Sequence, residues 1–412
     1  MLFRKRGALV ACVVAAVMVA GCGIGVAQEQ AGVGQLPGVS QAGPGVASSG
    51  TRQPVYDVAC LSALRCEAVG AAGTILATTD GGRKWRAQAN PLSGSATPLY
   101  AIACVAPSSC YVIARPDTIL ITHDGGATWI RHVLPVGVSG TTLTDQACLP
   151  IYATISGRPS ECRLGLLDIA CVSASTCYAV STTPRAYDIN PLPKGPHAAP
   201  SSIWLTRDGG ARWTRQSIPP GVACNGDCTG LFGYPLEWVT CLSSGLCLAG
   251  GSNALGCGHC GFAYAVLVTH GPGQPWACAQ STPMCGGGPD VADCPTSTGC
   301  YGVQSTNVFA EGTVSVLRST DGGANWGQIG PQLGWTRSVL NDIACPTALT
   351  CYLAGSGGSI ARITYGTRLA AQHSPTQSDL FGIGCFGPAI CYAVGDNGTI
   401  VSLSSGGWER SR

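Results

Sequence analysis

The chain has 412 residues, of which 58 are glycine and 27 proline, and only 11% are charged. Punctuation of that density excludes long helices and favours an all-β fold. The formal charge of +2 falls to about −1 without Arg4, Lys5 and Arg6, so no basic excess remains to hold nucleic acid, and the 24 cysteines point away from a reducing compartment.

The first element in chain order is an export signal. Arg4-Lys5-Arg6 precede an apolar run from Ala8 to Val19, too short to span a bilayer comfortably, and Val19-Ala20-Gly21-Cys22 follows at the cleavage position. The tetrapeptide resembles the lipobox of bacterial lipoproteins, which implies that 1–21 is removed and that Cys22 becomes the lipidated first residue. Residues 22–52 are glycine, alanine, glutamine, proline and valine with almost no charge, and read as a flexible tether. The expected location is the outer surface of a bacterial cell membrane.

From residue 53 to 412 the chain repeats. Cysteines with five residues between them recur as Cys60 and Cys66, Cys104 and Cys110, Cys171 and Cys177, Cys241 and Cys247, Cys294 and Cys300, Cys345 and Cys351, and Cys385 and Cys391. Each first cysteine closes a short strand pattern such as Tyr56-Asp57-Val58-Ala59 or Leu167-Asp168-Ile169-Ala170, and a tyrosine after the second usually opens another. A third strand, as in Thr118-Ile119-Leu120-Ile121-Thr122, ends in an Asp-Gly-Gly turn, and a tryptophan opens a fourth. The turns and tryptophans are Asp80 with Trp85, Asp124 with Trp129, Asp208 with Trp213, and Asp321 with Trp326. Seven four-stranded units of roughly fifty residues predict a seven-bladed β-propeller of antiparallel blades, starting near 55, 99, 166, 236, 289, 340 and 380.

Within each unit the two cysteines face each other across a hairpin, where cross-strand distances suit a disulfide. Metal ligation fits poorly, because the spacing is not that of a zinc knuckle and no histidine accompanies it. One hairpin disulfide per blade is therefore expected, with no metal and no cofactor.

The pattern Thr/Ser-x-Asp-x-Gly-x-x-Trp resembles the Asp-box of bacterial neuraminidase repeats, found in sialidases, sortilins and photosystem II assembly factor propellers. Tyr392-Ala393-Val394-Gly395-Asp396-Asn397-Gly398-Thr399-Ile400 is especially similar to the assembly-factor type of blade. The resemblance implies a propeller over Val55 to Arg412 and favours a scaffold or assembly role. Three boxes depart from the pattern: Thr269 to Trp276 lacks the aspartate, Thr364-Tyr365-Gly366 has no tryptophan, and Ser404 to Trp408 is shortened. A short last strand suggests that the segment Val46 to Gln53 pairs with it and closes the ring.

Long insertions occupy Gly137 to Arg163, Thr183 to Ser202, Ser217 to Glu237, Ser252 to Gly261 and Ala277 to Asp290, all on the end opposite the cysteine hairpins. They hold the eight remaining cysteines, Cys148, Cys162, Cys224, Cys228, Cys257, Cys260, Cys278 and Cys285, whose pairing sequence alone does not give. Zinc held by Cys224, Cys228, Cys257 and Cys260 is geometrically conceivable, with oxidised pairing the preferred reading. Cys257-Gly258-His259-Cys260 resembles a thioredoxin-type motif but lacks the helix that would lower the thiol pKa.

Sialidase chemistry would need converging arginines and a tyrosine–glutamate pair. Ala114-Arg115-Pro116-Asp117 and Gly157-Arg158-Pro159 are faint echoes of the family's arginine motif, and Glu237 is the one glutamate near the start of an inner strand on the insertion side. Asp57, Asp168 and Asp342 recur at one position in three blades and read as structural. Trp204 reads as core, Trp238 as a candidate channel liner, and His123 and His270 as solvated turn residues. No catalytic set emerges. The expected function is a monomeric, lipid-anchored binding or scaffold module that meets an envelope protein or glycan through the insertion-bearing end, with a sialidase-like glycoside hydrolase as the alternative.

Overall fold

The computed structural model describes residues 50–136, 165–182, 201–218, 236–253, 263–279, 288–306, 313–330, 340–404 and 407–411. The export signal, Cys22, most of the tether, much of the insertions, Gly157-Arg158-Pro159 and seven of the eight surplus cysteines lie outside the described residues.

Period-2 alternation and tight glycine turns build seven four-stranded antiparallel sheets, each a simple meander. Blade 1 comprises β1 (Val55–Cys60), β2 (Cys66–Gly70), β3 (Thr74–Thr78) and β4 (Arg86–Ala87). Blade 2 comprises β5 (Leu99–Ala106), β6 (Ser109–Ala114), β7 (Thr118–Thr122) and β8 (Ile130–Val133). Blade 3 comprises β9 (Gly165–Ser173), β10 (Thr176–Thr182), β11 (Ser201–Thr206) and β12 (Thr214–Arg215). Blade 4 comprises β13 (Trp238–Cys241), β14 (Cys247–Asn253), β15 (Ala263–Thr269) and β16 (Ala277–Cys278). Blade 5 comprises β17 (Val291–Asp293), β18 (Cys300–Thr306), β19 (Thr313–Ser319) and β20 (Gly327–Gln328). Blade 6 comprises β21 (Leu340–Thr347), β22 (Thr350–Gly355), β23 (Ile360–Thr364) and β24 (Arg368–Gln372). Blade 7 comprises β25 (Leu380–Cys385), β26 (Cys391–Gly395), β27 (Ile400–Ser404) and β28 (Gly407–Ser411).

Each innermost strand neighbours the next, and β25 returns to β1, so the ring is closed. The expectation of a strand supplied by Val46 to Gln53 is not met over the part of that segment that is described. β28 comes from the C-terminal segment and pairs with all of β27, whereas Gly50–Pro54 contains no strand and Val46–Ser49 lies outside the described residues. The outer strand of blade 7 is five residues long, not shortened as the sequence suggests.

All seven hairpin pairs are disulfides, from Cys60–Cys66 through Cys385–Cys391. The register explains why: in five blades the two cysteines sit directly opposite each other across the first two strands. Cys278 is also disulfide-bonded.

The apolar side chains of neighbouring blades interdigitate into separate clusters, one between each pair of sheets. Trp204 lies in one of them as expected, buried opposite Ala179 with its indole N–H donating to the Ser181 hydroxyl at 3.3 Å.

The tyrosine after the second cysteine ties blades together. Tyr111 donates to the Ala174 carbonyl at 2.6 Å, Tyr301 to Ala348 at 2.8 Å and Tyr352 to Pro388 at 2.7 Å, each in the following blade. Edge-on contacts with the next blade's tryptophan accompany it: Tyr178 on Trp276, Tyr352 on Trp408 and, across the closure, Tyr392 on Trp85. Blade 1 carries Glu67 at this position and uses Arg65 instead. The Arg65 guanidinium donates to Glu67 at 3.0 Å and to the Gly125 carbonyl of blade 2 at 2.7 Å.

Candidate binding site at the mouth of the central channel

The Asp-boxes form a repeated local device at the hairpin end. In blade 1 the Thr78 hydroxyl donates to Asp80 at 2.9 Å and accepts the Gly82 N–H at 2.9 Å, while Asp80 accepts the Lys84 N–H at 3.0 Å. The same bonds join Thr122, Asp124, Gly126 and Thr128 in blade 2 and Thr206, Asp208, Gly210 and Arg212 in blade 3. Ser319, Asp321, Gly323 and Asn325 repeat them in blade 5. Hydrogen bonds from Thr128 hold the Asp124 carboxyl down at about 2, and Asp208 is lowered by the Arg212 amide. These bonds tie the turn to itself. Trp85 and Trp129 are buried, and Trp213 and Trp326 partly so.

The inner-strand aspartates clasp neighbouring blades. Asp57 accepts the Val58 N–H at 2.7 Å and the Ile102 N–H of blade 2 at 2.8 Å. Asp168 does the same for Ile169 and for Val239 of blade 4, and Asp342 for Ile343 and Ile383 of blade 7. A fourth clasp escapes the sequence pattern, because Asp293 stands one residue before its cysteine rather than three. It accepts the Cys345 N–H of blade 6 at 2.7 Å. Burial, then the charges of Asp342 and Asp168, push the Asp57 carboxyl well above its ordinary value.

Toward the other end of the blades, the residue four before the first cysteine varies in kind around the ring. It is Tyr56, Tyr100 and Phe381 in blades 1, 2 and 7, and Glu237, Asp290 and Asn341 in blades 4, 5 and 6. Tyr56 stacks on Tyr100 with centroids 4.9 Å apart and meets Phe381 at 5.7 Å. The trio joins the innermost strands of blades 7, 1 and 2 in one buried aromatic cluster, with Ala71 packed against it. The Arg115 guanidinium lies 3.8 Å over the Tyr100 ring, a cation–π contact that joins a charge to the aromatic cluster. The aromatic and cationic residues thus come from blades 7, 1 and 2, and the acidic and amide-bearing ones from blades 4, 5 and 6.

Other expected site residues sit elsewhere. Trp238 does not line the channel: it is packed between blades 4 and 5 and donates to the Pro289 carbonyl at 3.1 Å. His123 is exposed but bridges Ser109 and the Gly209 carbonyl of blade 3, at 3.3 and 2.9 Å, and His270 is exposed. None of the seven inner strands carries an arginine, and Arg115 follows a second strand. Among the described residues, the donor atoms of Glu67, Cys104 and Cys110 lie within 4.8 Å of one another, but the two sulfurs are bonded to each other.

The family model of the photosynthesis system II assembly factor YCF48 matches residues 46–149, blades 1 and 2 with their leader. No curated protein matches the sequence. Among solved structures, YCF48 bound to D1 peptide is 16% identical with a TM-score of 0.53, covering 87% of this chain and 95% of that one. YCF48 from Cyanidioschyzon merolae is 15% identical with a TM-score of 0.55, covering 86% and 96%. The GH74 xyloglucanase from Xanthomonas campestris is 14% identical with a TM-score of 0.55; this chain, 87% covered, spans 53% of that enzyme. Likeness at these identities is a likeness of fold.

Proposed function

We propose that this seven-bladed propeller of the bacterial neuraminidase repeat, or Asp-box, kind is an exported, lipid-anchored binding module of the cell envelope that holds a protein partner at its insertion-bearing end. This ring of residues carries the reading. Arg115 over Tyr100 sets a planar cation beside an aromatic cluster, and blades 4, 5 and 6 carry the polar Glu237, Asp290 and Asn341 at the position that Tyr56 holds in blade 1. Such a ring suits a peptide, whose backbone and termini carry both polarities. A YCF48 propeller of the same fold has been solved with a D1 peptide bound, which supports a peptide as the class of partner here. The anchor rests on Val19-Ala20-Gly21-Cys22.

Affinity capture from native membranes tests both parts. The wild-type chain is expected to fractionate with membranes and recover a defined protein, Cys22→Ser to become soluble, and Arg115→Ala to remain folded and anchored but lose the protein. Equal recovery by wild type and Arg115→Ala would refute the site, and membrane retention of Cys22→Ser after a salt wash would refute the anchor.

A further inference from the structure

The seven cysteine hairpins share a tip position four residues past the first cysteine. It is Ser108, Ser175 and Thr298 in blades 2, 3 and 5, but Leu64 in blade 1 and Leu349 in blade 6. In these five blades the tip carbonyl accepts the N–H of the neighbouring turn glycine, from Gly81 to Leu64 at 3.0 Å through Gly366 to Leu349 at 3.0 Å. All five tips thus share this backbone hydrogen bond, while the side chain at the tip differs.

Leu64 and Leu349 are 53% and 51% exposed, and blade 7 between them shows Phe386 at 45%. Where blade 6 has lost its Asp-box, Tyr365 stands 76% exposed at φ +53°. Asparagine or glycine would sit there with less strain, and an exposed aromatic kept in that conformation points to surface chemistry. Of the six large apolar side chains most exposed among the described residues, these four fall on three consecutive blades at one end.

Cations flank them. Arg83 and Lys84 in the blade 1 turn and Arg368 beside Tyr365 are exposed. The nearby carboxylates are engaged: Asp80 by Thr78 and Lys84, and Glu409 by the Ser404 hydroxyl at 2.7 Å.

We infer that this arc of blades 6, 7 and 1 seats on an anionic lipid surface. Leu64, Leu349, Phe386 and Tyr365 enter the boundary between headgroups and acyl chains, and Arg83, Lys84 and Arg368 meet lipid phosphates. The four side chains come from four turns in three blades, and a bilayer accepts apolar and aromatic anchors with cations beside them. Seating this end on lipid turns the insertion-bearing end outward. The inference stands independently of what that outer end binds.

The test uses the exported chain carrying Cys22→Ser, so that no acyl group contributes, and sedimentation with vesicles of phosphatidylglycerol and phosphatidylcholine or of phosphatidylcholine alone. The chain is expected to partition onto the anionic vesicles only. Replacing Arg83, Lys84 and Arg368 by glutamine should weaken partitioning about tenfold or more. A second variant, Leu64→Ser, Leu349→Ser, Phe386→Ser and Tyr365→Asn, should do the same at unchanged melting temperature, since serine already occupies the tip of blades 2 and 3. Phe386→Trp adds a readout on a minimally altered protein, a blue-shifted emission when anionic vesicles are added. Wild type left in the supernatant, partitioning unmoved by both variants, or no spectral shift would each overturn the inference; crosslinks from Phe386 to protein alone in native membranes would assign the arc to a protein instead.

Discussion

Asp57 shows how one side chain does two things to the ring. Its two oxygens satisfy the buried amides of Val58 and Ile102, joining β1 to β5. Asp57→Ala strands both donors, at about 1–3 kcal/mol each, so urea unfolding should report a loss of about 2–6 kcal/mol. The charge acts in the opposite sense. Because the native carboxyl holds its proton well above the ordinary value of 3.8, the native state binds more protons than the unfolded chain over that interval. Stability from this group is complete below about pH 3.8 and is lost as pH rises through the raised pKa. The unfolding free energy of wild type minus that of Asp57→Asn should therefore fall as pH rises above about 4 in a urea titration series. Asp124 has the reverse sign: its pKa of about 2 gives a contribution present above 3.8 that is lost on acidification.

Each blade keeps its disulfide hairpin, while the turn between its third and fourth strands varies. Four turns are complete Asp-boxes, and blade 4 has replaced the aspartate with backbone acceptors, the Thr269 hydroxyl donating toward Gly271 and Gln274 at 3.2 and 3.1 Å. The hydroxyl is the common part. Thr122→Val keeps the shape of the buried residue but leaves the Gly126 N–H without its acceptor, and should lower stability by about 1–3 kcal/mol by denaturant titration. The hairpins were legible because cysteine spacing is a local signature of cross-strand pairing. The tyrosine ties to the next blade were not, since their acceptors are backbone carbonyls that no residue type announces.

Ring closure belongs to the whole molecule. A Cβ on Gly384 would lie 2.2 Å from the Val58 carbonyl oxygen, and one on Gly382 would lie 2.6 Å from that of Tyr56, so β25 approaches β1 at a distance only glycine allows. Gly384→Ala should cost at least about 1–3 kcal/mol by calorimetry, whereas deleting Val46 to Gln53 should leave the melting temperature unchanged. The blade count, the strand order and the hairpin disulfides were contained in the sequence, because period-2 alternation, turn glycines and paired cysteines act over a few residues. Which blade clasps which, that Trp238 packs between sheets while Tyr56, Tyr100 and Phe381 meet in one cluster, and that blade 7 completes itself were decided only by the tertiary structure. Those contacts join residues from different repeats, and a repeat by itself does not encode which neighbour it will meet.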